Sequence, residues 1–405
     1  MQPQRGSNRL PRGSSPPAGA ASPGPSVGAN DPSVHSPPEP PALPASAFTI
    51  YRVYDVGEEI DLAVAEAALA RRIADRRQPS GVRQASSIQI AQPPLPLDLG
   101  AGSLAVGTAS LPGTLRATIY DLGAVALALA LPLEGPTSWA TVAELFKLGP
   151  ELPAADQRQF ERAIEDLERA LGPAIIRPRR SAIVEDYSIL VVNGLTSELN
   201  VAEVAKHPLV WAAMLGEQRA LSPDAARLVT KMSYYPDDLA LLSWNGALLI
   251  DPDPVASATA VELIEFAQVE LLLMRDYDAD LDAQLPGMYR RISRPQRRVA
   301  LPVIRGYGGT LHDIQRLIAE VTEVTERVDN ALKVTDDVYW NRLYSALIAV
   351  LRVDVWRSGV EHKLALLRQT YGLLQDEAGA ERALVLEVTI VLLIALEIAL
   401  ALLKA

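Results

Sequence analysis

The feature that most constrains this chain is an apolar stretch near its C-terminus, residues 383–403, which reads ALVLEVTIVLLIALEIALALL. Fourteen of its 21 residues are Leu, Ile or Val, and Arg382 and Lys404 flank it. As a helix rising about 1.5 Å per residue it spans about 31 Å, which matches the roughly 30 Å hydrocarbon core of a bilayer. The sequence therefore predicts one transmembrane helix, and because two residues follow it, a tail anchor with residues 1–382 on one side.

Two acids, Glu387 and Glu397, oppose insertion into the bilayer. On an insertion scale the branched side chains contribute roughly 4–8 kcal/mol, whereas a charge at the helix centre costs about 2.5–3.5 kcal/mol. Neither glutamate lies at the centre, so the balance favours insertion. The alternative is a helix buried in a soluble bundle, because a surface helix would show a wider polar face than two acids and one threonine.

The same stretch carries two signals for contacts between helices. The glutamates are about 80° apart around the helix, and acids inside a membrane usually face a protein partner or water. Ala395 and Ala399 form a small-xxx-small face on the opposite side from Glu397. We therefore expect helix–helix contacts through the C-terminal helix, and a homo-oligomer is one way to make them.

Upstream, the composition divides the chain into three further regions. Residues 1–47 hold 12 of the 31 prolines and few large apolar side chains, which predicts a disordered tail. Residues 48–255 alternate strand and helix patterns, with a Pro-, Ser- and Gly-rich loop or short strands over 78–113. Asn245-Gly246 lies between two apolar runs and predicts a hairpin. We expect a mixed α/β domain, of the α+β class, with an undetermined strand order.

Residues 256–382 show almost no strand pattern and predict a long α-helical segment that leads into the transmembrane helix. Within it apolar residues repeat at spacings of four, three, four and three: Val360, Leu364, Leu367, Tyr371 and Leu374. This seam is typical of a coiled coil. Two alternatives stay open: the seam packs on the protein's own preceding helices, or it joins two copies of the chain.

Composition limits the chemistry. The chain has no cysteine and only four histidines, none three or four residues from another, so we expect no catalytic residue, no cofactor and no metal site. The net charge of −11 argues against a general nucleic-acid binder. A local exception is a cluster of five arginines in nine residues, Arg290, Arg291, Arg294, Arg297 and Arg298. It fits RNA, a ribosome or anionic headgroups, and equally fits ion pairs with the acids before it.

The acids offer weaker candidates. Asp276, Asp278, Asp280 and Asp282 resemble a calcium loop only superficially, because Leu281 stands where that loop needs glycine, so we expect a solvated helix face. A second set flanks the predicted hairpin: Asp237, Asp238, Asp251 and Asp253. Turn chemistry explains such acids. The alternative is a membrane-associated enzyme that uses them in a deep pocket.

The C-terminal residues carry a resemblance to a known family. Eight of them form the pattern R-x-x-x-L-E-x-x-I-x-x-L-I-x-x-E-I: Arg382, Leu386, Glu387, Ile390, Leu393, Ile394, Glu397 and Ile398. Upstream, Asp337-Val-Tyr-Trp340 opens a helical segment that passes through Lys363-Leu364, and the segment 261–283 is similar to the family's central helix. Over roughly residues 185–403 the chain resembles the required-for-meiotic-nuclear-division family, a domain-of-unknown-function family of bacteria, fungi and mitochondria.

The resemblance implies a membrane-attached scaffold or tether without established catalytic activity, and mitochondrial members are implicated in supporting translation, with the ribosome as a partner. The chain shows no secretory signal, which favours a bacterial inner membrane with the domain in the cytoplasm, or a mitochondrial inner membrane with the domain in the matrix. The expected partners are the lipid bilayer, a protein, and nucleic acid only through that protein or the arginine cluster.

Overall fold

Strands occupy the first part of the chain and long helices the last. The computed structural model describes residues 40–74, 88–90, 92–193, 200–217, 221–293, 307–334 and 337–404. The strands are β1 (Ser46–Asp55), β2 (Gly57–Ile60), β3 (Ile88–Ile90), β4 (Leu95–Val106), β5 (Ala109–Ile119), β6 (Ala124–Leu133), β7 (Ile175–Pro178), β8 (Val184–Val192), β9 (Thr230–Met232), β10 (Leu239–Leu242), β11 (Gly246–Ile250) and β12 (Leu332–Val334).

The helices are α1 (Leu62–Ala74), α2 (Trp139–Leu148), α3 (Ala154–Leu171), α4 (Val201–Val204), α5 (Pro208–Met214), α6 (Pro254–Ser293), α7 (Tyr307–Ala331), α8 (Val338–Val350) and α9 (Val353–Lys404). A 3₁₀ helix covers Pro223–Leu228. The α+β class, with a helical segment after a mixed sheet domain, is confirmed. The predicted tail over residues 1–47 lies outside the described residues as far as residue 39. From Pro40 onward the chain packs on the domain, since Leu43 is buried and bridges Thr137.

Eight strands form one mixed sheet in the order β4-β5-β6-β1-β8-β11-β10-β9. Neighbours are antiparallel except β8 and β11, which run parallel. The Asn245-Gly246 hairpin is confirmed, because β10 and β11 pair on either side of it and the Ser243 amide donates to the Gly246 carbonyl at 2.8 Å. Sheet order puts β4 and β9 at the two edges.

Each face of the sheet is covered by helices, and strand alternation decides which side chain meets which layer. In β6, which reads AVALALALPL, Val125, Leu127 and Leu129 join the core under α1, α2, α3 and α5. The alanines between them join the opposite core, under α6 and the helices that follow. Alternation of side chains along a strand produces this division. Alanines on that face leave room for α6 to approach the sheet closely.

Helix α6 lies at the centre of the second core. Its side chains are buried almost continuously from Ile264 to Met274, because the sheet covers one side and α8 and α9 cover the other. A helix in such a position is expected to be largely apolar on every side, and Glu265, Gln268 and Glu270 are polar exceptions within this stretch. The helical segment predicted to follow residue 255 therefore shares its core with the sheet.

The segment 78–113, for which the sequence left a loop or short strands open, contains longer strands than expected. Residues 95–119 form a long hairpin of β4 and β5, which turns at Gly107 with a positive φ of 58°. Further along the chain, α4 and α5 are separate helices because Pro208 starts a new one, in which the His207 ring accepts a hydrogen bond from the amide of Leu209. Proline at a first helical position is favourable, whereas in a helix interior it removes a hydrogen bond.

Candidate functional site

The outer half of α9 is the candidate functional site. Ala383–Leu400 has a mean hydropathy of 2.6 and is the one stretch of the described helices that is long and apolar enough to cross a membrane. None of that stretch is buried in the protein. Large apolar side chains point outward all along it: Leu384, Leu386, Val388, Ile390, Val391, Leu392, Leu393, Ile394, Leu396, Ile398, Leu400 and Leu402. A helix of a water-soluble core would be mostly covered, so this one does not belong to either core of the domain.

The exposed apolar surface is large on the scale of protein stability. These 12 side chains are between 40% and 74% exposed. At about 1.5–3 kcal/mol for fully burying one such side chain, covering them is worth on the order of 10–20 kcal/mol. That exceeds the roughly 5–15 kcal/mol that stabilises a typical domain. Such a surface requires an apolar environment or partner.

The membrane-helix residues singled out in the sequence lie on this exposed helix. Glu387, Glu397, Ala395 and Ala399 are all exposed, so none of them packs into the domain. Arg382 lies on the same helix, just before the apolar stretch. The predicted contacts of the two glutamates and the two alanines with lipid or another helix are therefore sterically accessible, and these roles, like that of Arg382, stay predictions.

The inner half of α9 is attached to the domain by apolar packing. Val360, Leu364, Leu367 and Leu374 are buried, and Tyr371 packs partly buried beside them, in the core formed with α6 and α7. This seam was expected either to pack on the protein's own helices or to join two copies of the chain, and in the structure it packs on the protein's own helices. The exposed helix is thus a direct continuation of a buried one.

Ion pairs strengthen this attachment. Arg357 on α9 pairs with Glu270 on α6, whose side chain is 2% exposed and also accepts a hydrogen bond from Tyr344 on α8. Further along, the Lys363 Nζ lies 2.7 Å from a carboxylate oxygen of Asp278 and 2.7 Å from one of Asp282. Burial lowers the pKa of Lys363, but its bonds to these two acids outweigh that effect and raise it.

The order of these ion pairs shows that α6 and α9 run parallel, since residues later in α6 pair with residues later in α9. The C-terminal end of α6, with Arg290 and Arg291, therefore lies at the end of the domain from which the apolar helix departs. Counting from the Lys363 pairs, Arg290 lies roughly 12–18 Å along the axis before the apolar stretch begins. The remaining members of the arginine cluster, Arg294, Arg297 and Arg298, lie outside the described residues.

The sequence predicted that Asp276, Asp278, Asp280 and Asp282 in α6 form a solvated face. This prediction is wrong for Asp276, whereas Asp282 is exposed. Asp276 is buried, and its carboxylate lies 2.7 Å from the Arg179 guanidinium, which also pairs with Asp55 at 2.8 Å and Asp280 at 2.5 Å. Burial raises the pKa of Asp55 to about 8, because Arg179 offsets it only in part and neighbouring Asp276 adds to it. The four-residue spacing of Asp276 and Asp280, which places both on one face of α6, was the available signal for this network.

Another buried carboxyl was missed because it has no distinctive spacing. Glu265 lies in the middle of α6 and accepts a hydrogen bond of 2.8 Å from the Tyr120 hydroxyl. Burial raises the pKa of Glu265 to about 7, although hydrogen bonds from Thr118 and Tyr120 act to lower it. Within the described part of the chain, no group of three or more His, Asp or Glu side chains is arranged to hold a metal ion.

The acids that flank the hairpin bind backbone amides. Asp238 accepts from the amides of Tyr234 and Tyr235 at 2.7 and 3.0 Å. Asp251 accepts from the amide of Asp253, which itself accepts from the amide at the start of α6. Burial raises the pKa of Asp251, and its acidic neighbours add to this effect. Turn and helix-start chemistry accounts for these three acids, and Asp237 is exposed.

The sheet domain has known relatives. A family model described as the N-terminal domain of uncharacterized protein MJ0711 matches residues 46–257, slightly more than half of the chain. The chain belongs to this family. The uncharacterized protein MJ0711 of Methanocaldococcus jannaschii is 28% identical over 177 residues, which are 44% of this chain and 53% of that relative. The chain thus spans about half the length of the relative. No solved structure matches it.

The matched region of the family ends near the start of α6. It includes the whole eight-stranded sheet and the helices α1, α2, α3 and α5 on one of its faces. It stops before the residues whose ion pairs join α6 to α9, and before the apolar helix. The family match therefore assigns the sheet domain to an uncharacterised domain family and does not extend to α9.

Proposed function

We propose that this protein is a membrane-anchored scaffold or tether, in which the outer half of α9 spans a bilayer and presents the sheet domain to partners. The observation that carries the proposal is the apolar surface of Ala383–Leu400, of which none is buried. Hydrocarbon is the environment that accommodates a helix apolar on nearly all sides without a matching protein groove.

The attachment of α9 supports a tether rather than a loosely linked domain. The helix continues without a break from its buried seam into the apolar stretch. Only about eight residues separate the last buried seam residue, Leu374, from Ala383, a distance of roughly 14 Å along a helix. A domain held this way stays close to the bilayer surface.

The resemblance to the required-for-meiotic-nuclear-division family extends the proposal to a partner. By that resemblance the domain faces the bacterial cytoplasm or the mitochondrial matrix and supports translation at the inner membrane, with the ribosome as the protein partner. The parallel course of α6 and α9 supports a second contact, between the arginine cluster and an anionic surface at the same end of the domain. Copies of the protein associate through the Ala395 and Ala399 face.

Two experiments test the anchor. The full-length protein is expected in the membrane pellet after alkaline carbonate extraction, and a variant lacking residues 383–405 is expected in the supernatant as a folded protein. Recovery of the full-length protein in the supernatant contradicts the proposal. Capture of the native complex from solubilised membranes, with the truncated variant as the matched control, tests the partner: ribosomal proteins should be enriched only with the anchored form.

A membrane-associated enzyme using Asp237, Asp238, Asp251 and Asp253 is the alternative. It has less support because three of these acids already bind backbone amides. If replacing Asp251 with Asn abolished a measurable reaction while leaving the fold intact, the alternative would be favoured.

A further inference from the structure

The strand β9 at one edge of the sheet has unused backbone groups. The Ser243 and Gly246 pair is hydrogen-bonded across the β10–β11 hairpin. Since bonding directions alternate along an antiparallel strand, Leu242 and Ala240 direct their backbone groups the other way, toward β9. Their partners in β9 are Thr230 and Met232.

It follows that the residue between them, Lys231, directs its N–H and C=O away from the sheet. Neither group bonds to another described residue. An edge strand with outward-pointing backbone groups is a template for one more strand. The free backbone of Lys231 is thus the first element of a binding surface.

A groove runs alongside this edge. Its volume is about 530 Å³, and it lies between the three residues of β9 and one face of α8. The helix residues that line it follow helical spacing: Val338, Asn341, Arg342, Ser345 and Ala346. The Tyr234 ring, just after β9, lies 5.5 Å from the Tyr339 ring near the start of α8, so the end of the strand lies beside the start of the helix. A groove bounded by an edge strand and a helix accommodates an extended chain.

Positive charge lies on both faces of the sheet at this edge. Lys231 pairs with Leu241, which belongs to the core under α2 and α5, so the Lys231 side chain is on the sheet face away from α8. Arg342 lines the groove from α8 itself. Both side chains are exposed, and neither forms an ion pair with another described residue. In a protein of net charge −11, two unpaired cations on either side of one edge are a local exception.

We propose that β9 and α8 bind an extended acidic peptide segment, which adds a ninth strand to the sheet. The peptide residue opposite Lys231 bonds to its backbone and pairs with its side chain. The next residue points to the other face of the sheet and meets Arg342, because consecutive side chains of a strand alternate. The preferred ligand therefore carries two consecutive acids. Main-chain bonds supply affinity and the two charges supply specificity, as in other strand-addition complexes.

The test uses the full-length protein in detergent micelles and a fluorescein-labelled octapeptide with two central glutamates flanked by valine and threonine. Fluorescence anisotropy should show binding. The same peptide with lysines in place of the glutamates, and one with N-methyl groups on its two central amides, should bind at least tenfold more weakly. The methylated peptide separates strand addition from simple charge attraction, because its charges are unchanged.

Variants of the protein test the same two elements. Lys231→Pro removes the outward N–H at a position where an edge strand tolerates proline, and should weaken binding at least tenfold. Lys231→Ala keeps that N–H and should weaken it two- to fivefold. Arg342→Glu should weaken it at least fivefold, and the exposed Arg158→Glu on α3 should leave it unchanged. If Lys231→Pro fails to fold, the methylated peptide still decides the question.

Several results would overturn the proposal. One is the absence of binding to the acidic peptide, which would leave Lys231 as a charge that guards the edge against aggregation. Another is equal binding of the methylated peptide. Binding of anionic vesicles or an RNA oligonucleotide that Arg342→Glu abolishes, without peptide binding, would assign the charges to a different partner. Loss of dimers in Lys231→Pro would assign the edge to a second copy of the chain.

Discussion

Placing charge at the centre of the apolar helix should release the protein from the membrane. The change is Leu392→Arg together with Leu393→Arg. These side chains are 65% and 59% exposed, so their replacement removes no contact from the core. Each substitution loses about 0.5 kcal/mol of insertion energy and adds about 2.5–3.5 kcal/mol. The total, roughly 6–8 kcal/mol, is comparable to the roughly 4–8 kcal/mol by which the apolar side chains favour insertion, and Glu387 and Glu397 already oppose insertion.

The assay is alkaline carbonate extraction followed by quantification of the pellet and the supernatant. The wild type should stay in the pellet, and the double variant should move to the supernatant. The thermal unfolding midpoint of the sheet domain should be unchanged, because exposed positions usually contribute less than about 0.5 kcal/mol. Leu373→Arg is the matched control, since Leu373 is 65% exposed on the same helix before the apolar stretch.

Two outcomes would refute the reasoning. If the double variant stayed in the carbonate-resistant pellet as fully as the wild type, the stretch would not be the anchor. If the unfolding midpoint fell by several degrees in the variant and not in the Leu373→Arg control, the stretch would pack on protein in solution. Either outcome would indicate that the exposed apolar surface contacts a protein partner rather than lipid.

Other predictions concern the buried charges and the arginine cluster. Arg179→Met should lower the free energy of unfolding by about 3–5 kcal/mol in denaturant titrations, because it leaves buried carboxylates without their cation. Glu265 has a native pKa of about 7, above its ordinary value of 4.5, so the folded state keeps a proton that the unfolded state loses. Glu265 should therefore lower stability by up to about 1.4 kcal/mol per pH unit as the pH rises from 5 to 7, in addition to the loss from Asp55, whose pKa is also raised, and Glu265→Gln should reduce the slope by the share of Glu265. Arg290→Glu with Arg291→Glu should weaken binding of the 383–405 deletion variant to phosphatidylserine vesicles about tenfold or more, by sedimentation.

Controls distinguish these effects from general damage. Arg158→Glu, at an exposed position, should change neither stability nor vesicle binding. Glu161→Gln, also exposed, should leave the pH slope as in the wild type, and an unchanged slope in Glu265→Gln as well would contradict the assignment. Vesicles of neutral lipid should bind the Arg290 and Arg291 double variant as weakly as the unaltered truncated protein. An effect of equal size on neutral vesicles would exclude charge as the cause.

Local signals in the sequence were sufficient where a few neighbouring residues decide the outcome. Asn245-Gly246 predicted the hairpin because its turn geometry depends on those two residues. Helices α2 and α3 begin directly after Ser138 and Pro153, which are helix-start signals that can be read from the sequence. Neither signal determined which strands pair with the hairpin.

Sequence reasoning failed where tertiary pairing decided the structure. The segment that forms β4 and the first part of β5 contains Gly, Ser and Pro, and its alternation ends at Leu99, so the sequence left open whether it is a loop or short strands. It becomes a long hairpin because β5 pairs with β6, and β4 can hold Pro96 because it lies at an edge. Gly113 has room only for a hydrogen, since a Cβ there would lie 2.6 Å from the Ala130 carbonyl oxygen. The secondary-structure propensity of a segment contains no information about such close contacts between the backbones of neighbouring strands.

The sequence by itself determined the apolar helix, because length and side-chain chemistry over 383–403 need no knowledge of the rest of the fold. Only the tertiary structure decided that this helix is exposed, that its seam packs on α6 and α7, and that Asp55, Arg179 and Asp276 meet in a buried network. The partners of that network are separated by more than 90 residues along the chain. Hydropathy is a property of each side chain, whereas burial and ion pairing depend on which distant segments the sheet brings together.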